Sequence, residues 1–337
     1  MTKPRIALVA SLFSATAALA ACGGSDSTGT AVLDRATHAT TDSCALARPD
    51  FGGPATAADR ALFAYDASAP LNLKTTVDST RNGVEFSTIS YTSPDGGSVP
   101  GIMTRPVGRS GLRPGIVVMH PSSAPTLPVT GAMLAMGEAH SLAQRGAVVI
   151  AIDAPSVRRG GSTALTFTAQ DRRDQTQLIR DLQRAVDVLL AQGNVDPARI
   201  GFTGYSYGGM VGVQFSGIER RLKAAAITAG HGGHVTLATN KTLLQNLSTL
   251  SCATRTAWFR DMTPIEAVRF IPGAAPTALL FQIGRFDTAV LPEDAQAVYD
   301  AASSPKEVRY YDTGHVLNSQ AVIDRFAWLA KQVGIDP

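Results

Sequence analysis

Apolar residues gather along most of this chain in short continuous runs separated by longer amphipathic stretches. Gly115 to Met119, Arg199 to Thr203, Ala224 to Thr228, Ala278 to Ile283 and Glu307 to Tyr311 read as strands, and so does Ala147 to Ile152. Ala147 to Ile152 is apolar from end to end rather than alternating, the character of a strand in a sheet covered on both faces. Between these runs, 133–145, 171–192 and 320–331 read as helices. In the second, Leu178, Leu182, Ala185, Val186 and Leu189 form one stripe with arginines and aspartates opposite. Upstream, 85–92 and 99–105 form an expected antiparallel hairpin, because the turn residues Ser93-Pro94-Asp95-Gly96-Gly97 lie between them. Residues 50–76 have mixed helical and turn character. Strands alternating with helices predict an α/β fold, a mostly parallel doubly wound sheet with helices on both faces. The connection 231–275 is longer than a crossover requires and carries Trp258, Phe259 and Met262, so a cap over the functional site is expected there.

The amino terminus breaks this pattern. Lys3 and Arg5 precede an apolar run from Ile6 to Ala20, shorter than the roughly 20 residues of a membrane span, and Leu19-Ala20-Ala21-Cys22 follows. The run reads as an export signal over 1–21, and its end resembles the bacterial lipoprotein box. That resemblance implies lipidation of Cys22, a flexible tether over 22–49 and a folded domain over 50–337. The expected location is the outer face of a membrane, and Gly23 beside Cys22 resembles the pattern that permits sorting to an outer membrane. Removing Lys3 and Arg5 from the 30 basic residues leaves 28 against 27 acidic ones. No basic, aromatic-interleaved cluster remains, so nucleic acid is not an expected partner. Of the three cysteines, Cys44 and Cys252 are left either as a disulfide, the favoured reading in an oxidising compartment, or as two buried thiols.

The candidate chemistry lies in Gly204-Tyr205-Ser206-Tyr207-Gly208. A serine between glycines at this spacing, after a strand and before a helix, sits on a sharp turn that presents its hydroxyl as a nucleophile. Five residues prove little in a chain with 31 glycines, so the partners decide. Asp287 follows the strand 278–283, and His315 follows the strand 307–311, in the order nucleophile, acid, base. Asp294 and Asp312 are the competing acids. His315 would take the serine proton and return it to the leaving group, with Asp287 orienting the ring. The expected oxyanion donors are the amide of Tyr207 and, since Pro121 has no N–H, that of Ser122. His120, Tyr205, His231 and His234 are candidate pocket-lining residues, and His120, ending a strand beside the oxyanion loop, reads as fixing that loop rather than as the base. Two histidines without a nearby carboxylate or cysteine make a poor ligand set, so neither metal nor cofactor is expected.

With these residues in view, the chain resembles the α/β-hydrolase superfamily, in its dienelactone-hydrolase-like and acetyl-xylan-esterase-like branches. The resemblance rests on Val99 to Pro106 before the central sheet, on Asn194 to Gly201 before the serine, on Gly284 with Asp287, and on Gly314 with His315. It departs at two places. Ser206 stands where dienelactone hydrolases proper use cysteine, and His120-Pro121-Ser122 stands where many relatives carry His-Gly-Gly. The segment before the hairpin is too short for the separate propeller of prolyl oligopeptidases, which counts against a peptidase. The resemblance implies an exported, lipid-anchored serine hydrolase acting on a small or polymer-borne carboxylic ester through an acyl-enzyme. The alternatives are an amidase, thioesterase or acyltransferase using the same residues, or a non-catalytic binding lipoprotein on the same fold.

Overall fold

The computed structural model describes residues 48–337, apart from 128 and 242. The expected signal and nearly all of the expected tether, with Cys22 and Cys44, lie outside the described residues. Nine strands form one sheet: β1 (Lys74–Arg81), β2 (Val84–Thr92), β3 (Ser98–Pro106), β4 (Arg113–Met119), β5 (Val148–Ile152), β6 (Val195–Tyr205), β7 (Leu222–Thr228), β8 (Ala278–Gly284) and β9 (Lys306–Tyr311). Their spatial order is β1-β2-β3-β5-β4-β6-β7-β8-β9. Pairing is antiparallel from β1 through β3 to β5 and parallel from β5 to β9.

The end-to-end apolar run of β5 lies in the covered middle of the sheet, whereas β9, which carries Glu307 and Arg309, is a half-buried edge strand. All five residues of β5 and all seven of β8 are buried. On one face the helices Ala169–Leu190 and Tyr207–Ser216 bring Leu182, Val186, Val211 and Phe215 against the sheet. On the other, Met136–Gln144 and Ser319–Val333 bring Leu142, Phe326 and Leu329. Where one helix was expected over 133–145, the chain forms two, Gly131–Leu134 and Met136–Gln144, breaking at Ala135. β1 was not anticipated. Almost all of its side chains are exposed, so it carries no apolar alternation and is held by its ladder to β2.

Between β7 and β8 the insertion folds into the helices His234–Ala238, Leu244–Ser248 and Cys252–Met262, followed by three short 3₁₀ turns. Trp258 fastens it to the body, its Nε1–H donating to Asp171 Oδ2 at 2.8 Å and its ring meeting Phe167 edge-on. Cys252, which opens the last of these helices, is disulfide-bonded.

Candidate active site

β6 ends at Tyr205, and the helix Tyr207–Ser216 begins two residues later, which leaves Ser206 alone on the bend. Its backbone is held at φ 58° and ψ −114°, a strained conformation that a side chain other than glycine adopts only when its surroundings enforce it. The Ser206 amide donates to Thr228 O at 2.9 Å, tying the bend to the end of β7. The flanking glycines are required by space. A Cβ on Gly204 would run into the Gly208 carbonyl, and one on Gly208 into the Met119 carbonyl.

The ends of β8 and β9 bring the two partners to this bend. Arg285 N donates to Tyr311 O at 2.8 Å and Phe286 N to Thr313 O at 2.9 Å, which locks the two loops side by side. His315 Nε2 then lies 2.8 Å from Ser206 Oγ, and His315 Nδ1 lies 2.8 Å from Asp287 Oδ2. The other oxygen, Oδ1, accepts from the amides of Ala289 and Val290, each at 2.9 Å. A carboxylate oxygen only accepts, so Nδ1 carries the imidazole proton and Nε2 turns its lone pair to the serine hydroxyl. The competing acids are engaged elsewhere: Asp294 pairs with Arg48 and Asp312 with Arg285, both at 2.9 Å.

A cavity of about 520 Å³ opens over Ser206 and His315. Its near end carries Ser122 and Tyr207, and its walls include Phe167 and Val290 from the body with Leu237 and Leu243 from the insertion. The amides of Ser122 and Tyr207 have no hydrogen-bond acceptor among the described residues, whereas those of Ser123 and Ser206 are taken by Thr163 Oγ1 and Thr228 O. Two unengaged N–H donors beside the nucleophile are what an oxyanion requires.

His231 and His234 line the cavity. Both are buried, which pushes their pKa values down, His231 to about 3, and keeps them neutral. His120 and Tyr205 do not line it, contrary to expectation. The His120 ring is fully buried beneath the oxyanion loop, stacked on Tyr207, with Nδ1 2.6 Å from Pro121 O and Nε2 accepting from Ala154 N at 3.2 Å. Its role is to brace that loop. Tyr205 turns towards the base instead, its hydroxyl donating to His315 O at 2.9 Å. Burial, with the nearby Asp287 charge, pushes that phenol up to about 12, so it stays a donor. Sequence reasoning missed the walls Phe167 and Leu243, which sit in irregular segments, Leu237, which sits in a helix of five residues too short to show periodicity, and Gln175. Among the described residues no group of three or more His, Cys, Asp or Glu could hold a metal ion.

A sequence model of the prolyl oligopeptidase family matches residues 134–333, which include Ser206, Asp287 and His315. No curated protein matches the chain in sequence. Among solved structures, an acetyl xylan esterase from Paenibacillus sp. R4 superposes with a TM-score of 0.65 at 19% identity, over 82% of this chain and 92% of that one. A structure described as a dienelactone hydrolase of Klebsiella pneumoniae gives 0.53 at 18% identity, over 75% and 99%. A prolyl endopeptidase gives 0.59 at 15% identity, over 77% of this chain but only 40% of that one. These likenesses show a shared α/β-hydrolase fold.

Proposed function

Because the chain belongs to the prolyl oligopeptidase family of serine hydrolases, we propose that it cleaves uncharged carboxylic esters through an acyl-enzyme on Ser206, as an exported protein anchored by lipid at Cys22. The observation that carries the catalytic part is the Ser206–His315–Asp287 chain, two contacts of 2.8 Å, with Ser206 and His315 lining a largely apolar cavity. Ser206 Oγ attacks the ester carbonyl while His315 Nε2 takes its proton. The carbonyl oxygen becomes an oxyanion between the amides of Ser122 and Tyr207. Collapse expels the alcohol, which leaves with the proton from His315. Water, deprotonated by the same imidazole, then attacks the acyl carbon and returns the serine hydroxyl.

Ester rather than peptide cleavage is favoured by what surrounds the site. All nine strands of the described residues join one sheet, so the large part of the prolyl endopeptidase chain left uncovered has no counterpart among them. The cavity, at about 520 Å³, is far larger than an acetyl group, and no lysine or arginine among the described residues lines it. An uncharged ester with an apolar group of several carbons fits those walls.

Hydrolysis of p-nitrophenyl esters from acetate to decanoate tests this reading, with the purified protein beside Ser206→Ala. Serine-dependent turnover with kcat/KM rising from acetate to chains of medium length is expected. Cleavage of p-nitroanilides in the absence of ester turnover would overturn it in favour of an amidase. The anchor is supported by Lys3, Arg5, the apolar run and Leu19-Ala20-Ala21-Cys22. Cys22→Ala is expected to release the protein from the membrane fraction or to block its processing. Pairing of Cys44 with Cys252 belongs to the same proposal, since export places both in an oxidising compartment.

A further inference from the structure

Behind the cavity wall a row of side-chain amides fixes the orientation of His234. It starts at the Ile265 carbonyl, which can only accept, so the Gln214 group 2.7 Å away must be its NH₂. Gln214 therefore presents Oε1 to Gln175, whose Nε2 donates to it at 2.5 Å. That leaves Gln175 Oε1 facing His234 Nε2 at 3.1 Å. An amide oxygen accepts, so the His234 proton must sit on Nε2, and Nδ1 is left as a bare lone pair with no partner among the described residues. His231 is fixed in the mirrored sense. Its Nδ1 lies 2.9 Å from Gly233 O and 3.3 Å from Gly233 N; the shorter contact, to an oxygen that can only accept, places the proton on Nδ1 and leaves the lone pair on Nε2. Neither lone-pair nitrogen is among the sealed, unpartnered polar atoms of the interior, yet both rings are more than nine-tenths buried and both line the cavity over Ser206. Both rings are therefore within reach of a molecule in the cavity, and His234 also borders an adjoining smaller pocket with Asp171, Asp174 and Gln175.

An apolar cavity has no need of this arrangement. Buried polar atoms are ordinarily satisfied, and here three glutamine and backbone groups are spent on holding one imidazole in the tautomer that keeps an acceptor towards the cavity. We propose that the His231–His234 pair is a specificity site that accepts a hydrogen bond from a hydroxyl or N–H carried by the substrate beyond its scissile ester, so that donor-bearing esters are preferred over their hydrocarbon isosteres. The proposal rests on the esterase reading above and narrows its substrate class. His234 and His231 bind in it, and Gln175 and Gln214 are positioning residues that act through His234.

The test uses two matched substrate pairs. On the acyl side, p-nitrophenyl 3-hydroxybutyrate is compared with p-nitrophenyl 3-methylbutanoate, in which a methyl replaces the hydroxyl. On the alcohol side, the mono-butyrate of 1,3-butanediol at its primary oxygen is compared with 3-methylbutyl butyrate. The wild-type protein is expected to favour the hydroxyl partner of at least one pair by about tenfold in kcat/KM, the size of one neutral hydrogen bond in a dry site. The variants distinguish binding from mere packing. The side chain of His234→Asn places its oxygen where Nδ1 lay and keeps the acceptor while losing the bond to Gln175. That of His234→Gln reaches Gln175 but offers nothing at the Nδ1 position. The preference should survive in His234→Asn and vanish in His234→Gln, whereas a purely structural histidine would make Gln the milder change. Gln175→Met, which frees the ring to exchange tautomers, should lower the preference without abolishing it. Equal turnover of both members of both pairs by the wild type, or a preference intact in His234→Gln, would overturn the proposal while leaving the esterase reading standing. Absence of Ser206-dependent turnover of all four esters would overturn both.

Discussion

Asp287→Asn is the sharpest perturbation of the proposed machinery, because the surroundings dictate how the new amide must sit. Oδ1 accepts from two backbone amides, Ala289 and Val290, at 2.9 Å. Placing an NH₂ there would oppose it to two N–H donors and leave them unsatisfied, at about 1–3 kcal/mol each. The asparagine oxygen therefore keeps that position, and its NH₂ is turned to His315 Nδ1, 2.8 Å away in the native site. His315 must then accept at Nδ1 and carry its proton on Nε2, the atom that faces Ser206 Oγ at 2.8 Å. The base arrives already protonated and cannot take the serine proton. A serine triad locked in the wrong tautomer loses about 10⁴ in kcat, or about 5 kcal/mol of transition-state stabilisation. Folding should be little affected, since shape and backbone bonds are retained. The assay is kcat for a p-nitrophenyl ester, with thermal unfolding as the check on the fold. Asp294→Asn and Asp312→Asn serve as controls and should stay within about threefold, because these carboxylates pair with Arg48 and Arg285. An Asp287→Asn enzyme within tenfold of the wild type would refute the tautomer argument, and a collapse in either control would move the acid elsewhere.

Two further expectations concern stability. Gly208→Ala drives a Cβ into the Met119 carbonyl and should lower stability by about 3 kcal/mol or more, whereas Gly137→Ala, in the helix Met136–Gln144 with open space around it, should raise it by about 0.5–1 kcal/mol; equal melting temperatures would contradict the packing. His231 is held neutral by burial, down to about 3, while in the unfolded chain it takes a proton near 6.5. As pH falls below about 6.5 the unfolded state therefore binds more protons, and stability is lost until the native value is reached. Glu266, pushed up to about 7 by burial, acts in the opposite sense, favouring the fold below its ordinary value near 4.5 and losing that contribution as pH rises through about 7. The comparison is accordingly between wild type and His231→Asn, which keeps a donor for Gly233 O. Denaturant melts should show a shallower acid decline in the variant, and identical slopes would show that His231 does not titrate with folding.

The parallel part of the sheet was legible because a strand covered on both faces must be apolar throughout, as in Val148 to Ile152. β1 was not, because exposed Lys74 to Arg81 pay no tribute to any face and gain their place only by pairing with β2. The nucleophile bend was equally open to reading: its constraints are local, and glycine is forced at 204 and 208 by carbonyls a few residues away or on the neighbouring strand. Asp287 and His315 follow from the ends of β8 and β9 for the same reason. What the chain concealed is whatever the irregular segments and the shortest helices build. Phe167, Leu237 and Leu243 meet only in the folded state, and Gln175 lies on a long helix between residues that look like an ordinary polar face. His120 stays out of the cavity because Gly131 leaves the space that lets its ring turn inward against the oxyanion loop.

The central claim is that Ser206 is an activated nucleophile, and a fluorophosphonate probe reads that without any assumption about the substrate. The probe should form one covalent adduct, mapped by mass spectrometry to Ser206, with labelling abolished in Ser206→Ala and strongly slowed in His315→Ala. A folded wild-type protein that takes no label, or one labelled at another residue with Ser206→Ala unchanged, would contradict the account.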